Sequence, residues 1–308
     1  MNRITPFPAR LPMPASGFHR LRRYCLPVLG LVGLLLATPA RSETIYDLLV
    51  PPPDHRLWLE YNRGLEDSQS YYGELDLAVA GSQHLLLGAG KSDIQGARRR
   101  VDLYSYTVGF NTAYGEPFEA GLRYEFWGNT SELWTHTLSL PLAWNTTHSF
   151  LGLRPGYTDI NLYVYRLNRP PRKINTASQF IELDIGYYGF ADWGLRLGGA
   201  WYRYDADLSR LQSPLAPYLF SDITIVLGYG FPRRRLVGGL TRDFGRLSLG
   251  AEYEQTIVES DGSRLDVFSL KVAFRVDDTL GLHLQGGRIR GDATPDYNYL
   301  RLATDIGF

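Results

Sequence analysis

Apolar residues occupy every second position along most of the chain after residue 54. Residues 117–128 show the pattern, and their apolar positions are Phe118, Ala120, Leu122, Tyr124 and Phe126. Because successive side chains of a β-strand point to opposite faces, each such series forms the apolar face of one strand. No helical spacing of apolar residues is found after residue 42, so the pattern predicts an all-β chain. The predicted strands lie near residues 55–62, 71–80, 83–90, 100–111, 117–128, 132–144, 147–154, 159–167, 178–189, 193–204, 218–231, 235–244, 246–257, 264–276, 279–290 and 297–308.

The opposite faces of these strands are polar or small, which a soluble β-sandwich and a membrane barrel would share. Strand length and aromatic spacing favour the barrel. Trp134 and Trp144 lie ten residues apart on one apolar face, which is roughly 33 Å at about 3.3 Å per residue. A tilt of about 45° projects this to about 23 Å, close to the roughly 25 Å apolar band between the aromatic girdles of outer-membrane barrels. We therefore place Trp134, His136, Trp144 and Trp201 at the membrane interfaces.

The end of the chain carries the most specific signal. Residues 299–308 alternate throughout, and one face carries Leu300, Leu302, Thr304, Ile306 and Phe308. This ending resembles the C-terminal strand of Gram-negative outer-membrane β-barrel proteins. The resemblance implies a transmembrane antiparallel up-and-down β-barrel of the porin-like class over residues 55–308, located in the cell outer membrane. It also implies that Ile306 and Phe308 belong to the signal read by the barrel-assembly machinery during biogenesis.

The strand count sets the orientation of the loops. About sixteen strands are predicted, with twelve to sixteen compatible with the pattern, and an even number places both ends of the barrel on the periplasmic side. Short turns at 80–82, 243–245 and 276–278 then fall on that side. The longer gaps at 168–177 and 205–217 fall there as well, although long loops usually face outward. The division between 147–154 and 159–167, at Pro155-Gly156, is the weakest point of the count.

The first 54 residues differ from the rest. A basic stretch at 20–23 precedes an apolar run from Leu26 to Ala37, which is typical of a signal peptide and too short for a spanning helix. We expect residues 1–42 to be a cleaved signal peptide and residues 43–54 to be a periplasmic tail with a Pro-rich spacer. Cys25, the only cysteine, would be lost with the leader. Without that cysteine, disulfides and thiolate chemistry are excluded from residues 43–308. These residues carry 26 basic and 32 acidic side chains, a balance that excludes a nucleic-acid partner.

Charged residues on the polar faces are expected to line the lumen. Small residues there, including Gly121, Gly186 and Gly287, would leave its cross-section open. Mixed signs favour a passive or weakly selective channel for small polar solutes. A closed barrel in envelope organisation, secretion or polymer export stays open as an alternative. The expected lumen-lining residues are Glu119, Arg123, Glu125, Glu182, Asp184, Arg196, Asp222, Glu252, Glu254, Lys271, Arg275, Arg301 and Asp305.

A second alternative is an outer-membrane lipid-modifying enzyme. His136 lies on the predicted lipid-facing side, but a catalytic role would need a serine and an acid from neighbouring strands. His148 and Ser149 are adjacent in sequence and therefore point to opposite faces. No metal site and no cofactor is expected, because the histidines are dispersed and the Gly90-Lys91-Ser92 segment lacks the context of a phosphate-binding loop.

Basic clusters near strand ends bear on lipid contacts. They lie at 98–100, 172–173 and 233–235. Such clusters could hold phosphates of outer-membrane lipids and lipopolysaccharide, although simple anchoring of cations at the interface accounts for them more economically. A homo-oligomer is compatible with the sequence but nothing requires it.

Overall fold

The computed structural model describes most of the region expected to form the barrel. The described residues are 55–64, 68–95, 100–112, 117–129, 131, 133–166, 169–190, 192–206, 231–292 and 296–308. The expected signal peptide (1–42) and periplasmic tail (43–54) lie outside the described residues and stay predictions. No helix among the described residues is long and apolar enough to cross a membrane.

The described residues form fifteen strands in one antiparallel sheet. Strand β1 pairs with the last strand, β15, and β4 pairs with β5, so the sheet closes on itself as a barrel. The strands are β1 (His55–Arg63), β2 (Gln69–Ala80), β3 (Gln83–Gln95), β4 (Arg100–Thr112), β5 (Phe118–Gly128), β6 (Leu133–Ser139), β7 (Leu142–Asn145), β8 (Ser149–Arg166), β9 (Arg169–Phe190), β10 (Trp193–Tyr204), β11 (Pro232–Phe244), β12 (Leu247–Val258), β13 (Arg264–Arg275), β14 (Leu280–Gly291) and β15 (Tyr297–Gly307).

Strands β6 and β7 are two parts of one barrel strand. Both pair with β5 on one side and with β8 on the other. Leu140 and Pro141 separate them, and proline has no backbone N–H to give to the sheet. The backbone oxygen of Pro141 still accepts a hydrogen bond from Gly121 N at 2.8 Å, and Leu140 N donates to Pro155 O at 3.0 Å. The barrel of the described residues therefore has fourteen strands.

The expectation of about sixteen strands was too high. The predicted strands 147–154 and 159–167 form one continuous strand, β8, and Pro155-Gly156 lies within it. Proline is tolerated there because the ladder bonds of β8 continue on both sides of it. The predicted strand 218–231 lies almost entirely outside the described residues, and β10 pairs directly with β11, which leaves no place for another strand between them.

With fourteen strands instead of sixteen, the two long gaps at 168–177 and 205–217 are no longer expected as loops on the periplasmic side. The terminal end of the barrel is the end that holds His55 and Phe308, whose backbones exchange hydrogen bonds of 3.2 and 3.0 Å. The expected short turns at 80–82, 243–245 and 276–278 lie at this end. One strand fewer before residue 205 moves the connection from β10 to β11 to the opposite end, here called the far end. Residues 168–177 belong mainly to β9 rather than to a loop.

Local chemistry explains two of the short turns. Gly245 has a φ of +76°, a conformation that residues with a Cβ rarely adopt. In the turn between β13 and β14, Asp277 accepts hydrogen bonds from the hydroxyl and N–H of Thr279 and from the N–H of Leu280. The Thr279 hydroxyl, followed by these two N–H groups, holds the pKa of Asp277 below its ordinary value. Such turns fix the register of the hairpins they join.

Candidate functional site: a belt of paired charges inside the barrel

Charged side chains converge on the inner face of the barrel. The outer face carries large apolar residues such as Leu122, Leu270 and Leu302, which are exposed. The strand positions between them carry the charges, and some of these form ion pairs across intervening strands. Only the concave side of a closed sheet brings side chains of non-adjacent strands together, so these charges lie inside.

The first part of the belt runs from β2 to β8. Arg123 on β5 contacts Glu74 on β2 and Glu125 on its own strand, each at 3.2 Å. Arg154 on β8 lies 3.8 Å from the same Glu125. Tyr72 donates to Glu74 at 2.8 Å and lies near Thr107 of β4, so it fills the space between β2 and β5.

Glu182 on β9 joins several strands. Arg154 donates to its Oε2 through Nε at 2.9 Å and through Nη2 at 2.6 Å. Tyr202 on β10 donates to Oε1 at 2.9 Å, and Arg235 on β11 lies 3.6 Å from the same oxygen. This carboxylate therefore faces two guanidinium groups and one hydroxyl, and charge-assisted hydrogen bonds of this kind are stronger than neutral ones.

The belt continues from β9 to β13. Arg196 on β10 forms a bidentate pair with Asp184 and lies 4.0 Å from Glu252 on β12. Lys271 on β13 donates to Glu252 at 2.8 Å. These contacts connect strands that are adjacent or two apart.

The last part joins the two ends of the sheet. Arg301 on β15 lies 3.4 Å from Glu60 on β1 and donates to Asn62 at 2.9 Å. These contacts span the junction at which the barrel closes, so the charges support the pairing of the first and last strands.

Acidic and basic groups nearly balance in this belt, which comprises seven acidic and six basic side chains of the described residues. Its members are Glu60, Glu74, Glu125, Glu182, Asp184, Glu252, Glu254, Arg123, Arg154, Arg196, Arg235, Lys271 and Arg301. Most contacts follow the wall. Fourteen strands about 4.8 Å apart and tilted by about 40° form a barrel roughly 28 Å across, measured between opposite backbones. Ion pairs between neighbouring strands do not reach across this diameter.

The remaining expected lumen residues lie elsewhere on the same face. Near the terminal end, Asp305 contacts His283 at 2.5 Å and Arg56 at 3.6 Å. Glu119 accepts from Asn145 at 3.0 Å. Arg275 ends β13 at this end, opposite Gly281 of β14. Asp222 lies outside the described residues.

Sequence reasoning missed four members of the belt. Glu60, Glu74 and Arg154 lie in predicted strands and follow the same alternation, so strict parity along each strand could have found them. Arg235 was grouped with Arg233 and Arg234 as an interfacial cation. That interpretation was wrong for Arg235, because its position places it on the inner face beside Glu182.

The sequence suggested that inward glycines leave the cross-section of the lumen open, but the structure shows that they do not simply widen it. A Cβ at Gly186 would meet the ring of Phe150, and one at Gly287 would meet the ring of Tyr299. A Cβ at Gly121 would meet the side chain of Asn111. These glycines provide space for a neighbouring inward side chain, so the space is already occupied.

The inner wall becomes apolar towards the far end. Leu103, Leu133, Ile160 and Leu162 occupy inward positions near the far ends of β4, β6 and β8, and each has at most 2% of its surface exposed. On the opposite side of the barrel, Ile289, Tyr297 and Tyr299 form a second apolar cluster with Val267.

His136 lies on the outer face. Its Nδ1 is 2.7 Å from the hydroxyl of Tyr124, and the register places it opposite Asp159 of β8. An acid is therefore close by, but the hydroxyl group beside the imidazole belongs to a tyrosine. No serine lies opposite His136 in either neighbouring strand, whose positions are Phe126 and Asp159.

The expected interface residues lie on the outer face. Trp144 and Trp201 are exposed. Trp134 packs against Tyr163, and Lys173 lies 4.7 Å from its ring centre. No group of three or more histidine, cysteine or acidic residues within the described ranges is arranged to hold a metal ion.

Comparison with known proteins identifies the fold but no family. No protein-family model matches the sequence, and no curated protein matches it. The solved structure of CymD, described as a monoaromatic hydrocarbon channel, matches with a TM-score of 0.51 at 9% identity, covering 86% of this chain and 91% of that chain.

Two further structures match at lower scores. A loop L8 deletion mutant of OmpT, an outer membrane protein of Vibrio cholerae, has a TM-score of 0.46 at 8% identity, covering 82% of this chain and 97% of that chain. Omp33 of Acinetobacter baumannii has a TM-score of 0.45 at 9% identity, covering 83% and 98%. The fold assignment rests on the CymD match and the closed sheet: the chain has the fold of outer-membrane β-barrel channels.

Proposed function

We propose that this protein is a passive, weakly selective outer-membrane channel for small polar solutes. The observation that carries the proposal is the belt of paired charges along the inner wall. Charges on this scale exclude an apolar lumen and favour water inside. Because most pairs follow the wall of a barrel roughly 28 Å across, they leave its centre free. The near balance of signs is consistent with weak selectivity.

The same proposal includes the location and biogenesis of the protein. Export through a cleaved leader would bring the chain to the periplasm, and the C-terminal Phe308, with Ile306, would serve the barrel-assembly machinery. The terminal end would then face the periplasm and the far end the cell exterior.

Single-channel conductance in a planar bilayer tests the proposal. The refolded chain is first checked by a heat-dependent gel shift, which reports a folded barrel. We expect stable steps of fixed size with a cation-to-anion permeability ratio near one. A folded barrel that never conducts would contradict the channel.

The apolar far-end wall favours a second candidate, a closed barrel in envelope organisation, secretion or polymer export. Inward side chains with almost no exposed surface, such as Leu133 and Leu162, are not in contact with an open water column. Under this alternative the barrel folds and stays silent in the same recording, so one measurement separates the two.

A further inference from the structure

We propose that the outer face of β13 and β14 at the far end binds the phosphate groups of a lipid of the outer leaflet, lipopolysaccharide. Arg264, Arg288 and Arg290 provide the cations for this site. The inference rests on the proposed orientation of the barrel, in which the far end faces the cell exterior.

Strand register brings the three arginines together on the outside. Arg290 lies opposite Asp266 of β13, and Arg288 lies opposite Phe268. Arg264 is two residues before Asp266 on the same face. Phe268 is exposed and aromatic, and the Arg290 guanidinium lies 6.0 Å from its ring centre. Aromatic residues mark the membrane interface in barrels of this class, so the guanidinium groups lie at the height of lipid headgroups.

The arginines are positioned by carboxylates and remain exposed. Asp296 contacts Arg288 at 2.8 Å and Arg290 at 3.6 Å, and Asp266 contacts Arg264 at 2.8 Å. A third carboxylate, Asp292, lies beside Arg264 and accepts a hydrogen bond from its backbone N–H at 3.3 Å. About half of each arginine side chain is nevertheless exposed, so N–H donors remain open to a ligand. Arginine presents several N–H donors in a planar fork that suits phosphate oxygens.

A notch in the apolar surface lies directly below this cluster. Gly286 is the outward residue two positions before Arg288, and it lies opposite Leu270 and Leu300. A Cβ at Gly286 would meet only the backbone oxygen of Tyr299, at 3.9 Å. Leu270 is 68% exposed beside this gap. Cations above an apolar notch match a phosphate above an acyl chain, which is the chemistry of a phosphorylated lipid.

Titration of the refolded full chain in detergent with lipid A tests the site. The variant R288Q/R290Q keeps the side-chain length and removes two charges. We expect its affinity for lipid A to fall by a factor of ten or more. The matched control is R242Q, since Arg242 lies on the outer face at the terminal end beside Trp193 and Phe244. We expect this control to change the affinity less than twofold.

A third variant tests the sign of the electrostatic effect. D296N removes a carboxylate that competes with phosphate for Arg288 and Arg290, so we expect tighter binding of lipid A. Each variant must show the heat-dependent gel shift of a folded barrel. Unchanged affinity in folded R288Q/R290Q, or an equal loss in R242Q, would overturn the site.

Phosphatidylglycerol identifies the source of the phosphate. We expect it to bind more weakly than lipid A, because it carries one phosphate rather than two. Equal binding of both lipids, lost equally in R288Q/R290Q, would overturn the assignment to lipopolysaccharide. Conductance of the same preparations tests the channel separately. If the lipid site fails, the proposal of a channel is therefore still tested by its own measurement.

Discussion

Two regions of the inner wall obey the same strand alternation but differ in chemistry. At mid-height, inward positions carry acids and bases that pair along the wall, as Arg154 does with Glu182. Towards the far end, inward positions carry Ile160, on the same strand as Arg154, and Leu133, on the neighbouring strand β6, and both are buried. Alternation thus separates inside from outside, whereas the height along the strand decides between charged and apolar lining. The inner wall is therefore tightly packed near the far end and lined by paired charges at mid-height.

The largest effect is expected from a cavity in the apolar region. Leu133→Ala should lower the free energy of unfolding by about 2–5 kcal/mol, because the enclosed site keeps an empty volume. Leu138→Ala removes the same atoms from the lipid-facing side of the same strand, where lipid chains can fill the gap. Urea unfolding in liposomes, followed by tryptophan fluorescence, measures both. Equal losses would mean that the far-end wall is not packed.

A change in the charged belt should have a smaller effect on stability and a directional effect on transport. Glu182→Gln removes the carboxylate that Arg154 and Arg235 share, while Arg154 keeps its 3.8 Å contact with Glu125. Removing one partner of a fully buried pair costs about 3–5 kcal/mol. Because 17% of this side chain is exposed, we expect about 1–3 kcal/mol here. The added net positive charge should also shift the permeability ratio towards anions in single-channel recordings.

A matched control sharpens this prediction. Glu254→Gln removes the same charge from the same face, and its carboxylate also attracts Arg235, but it accepts its side-chain hydrogen bond from the neutral Thr256 rather than from a guanidinium. We expect a similar shift in selectivity with a smaller loss of stability. If both variants lost equal stability, pairing within the belt would not contribute to folding.

The smallest effect is expected at inward glycines. Gly156→Ala would place a methyl group against the ring of Phe180, and we expect a loss of about 1 kcal/mol from overpacking. Gly239→Ala is the control, because a Cβ there meets its nearest neighbour only at 3.7 Å. The same urea measurement applies. Equal stability of the two variants would show that the aromatic rings are not tightly packed against the wall.

Most of the fold could be predicted from local pattern. The alternation placed strands such as β5 and β12 within one or two residues of their bounds. It failed at Pro155, where the proline suggested a break. A proline interrupts a strand only if its missing N–H removes a required ladder bond, and this depends on the neighbouring strand. The same local rule did not detect the interruption at Pro141.

The candidate site was harder to predict from the sequence than the fold. The positions of Glu182 and Arg196 on a polar face could be predicted, but not the partners they contact. Arg123 reaches Glu74 across two intervening strands. Tyr72, which also contacts Glu74, has room there because the facing residue Gly88 carries no Cβ. Arg235 was misassigned because a cluster of like charges hides the alternation of its members.

The sequence by itself determined the all-β class, the alternation of faces and the tight turns. These depend on interactions between residues close in the chain, such as the φ of Gly245 and the spacing of Leu300 and Leu302. Only the tertiary structure decided the number of strands, the end at which each loop lies and the network of paired charges. Those features arise when distant strands meet in a closed sheet, where closure fixes which side chains share the concave face and come within reach of each other.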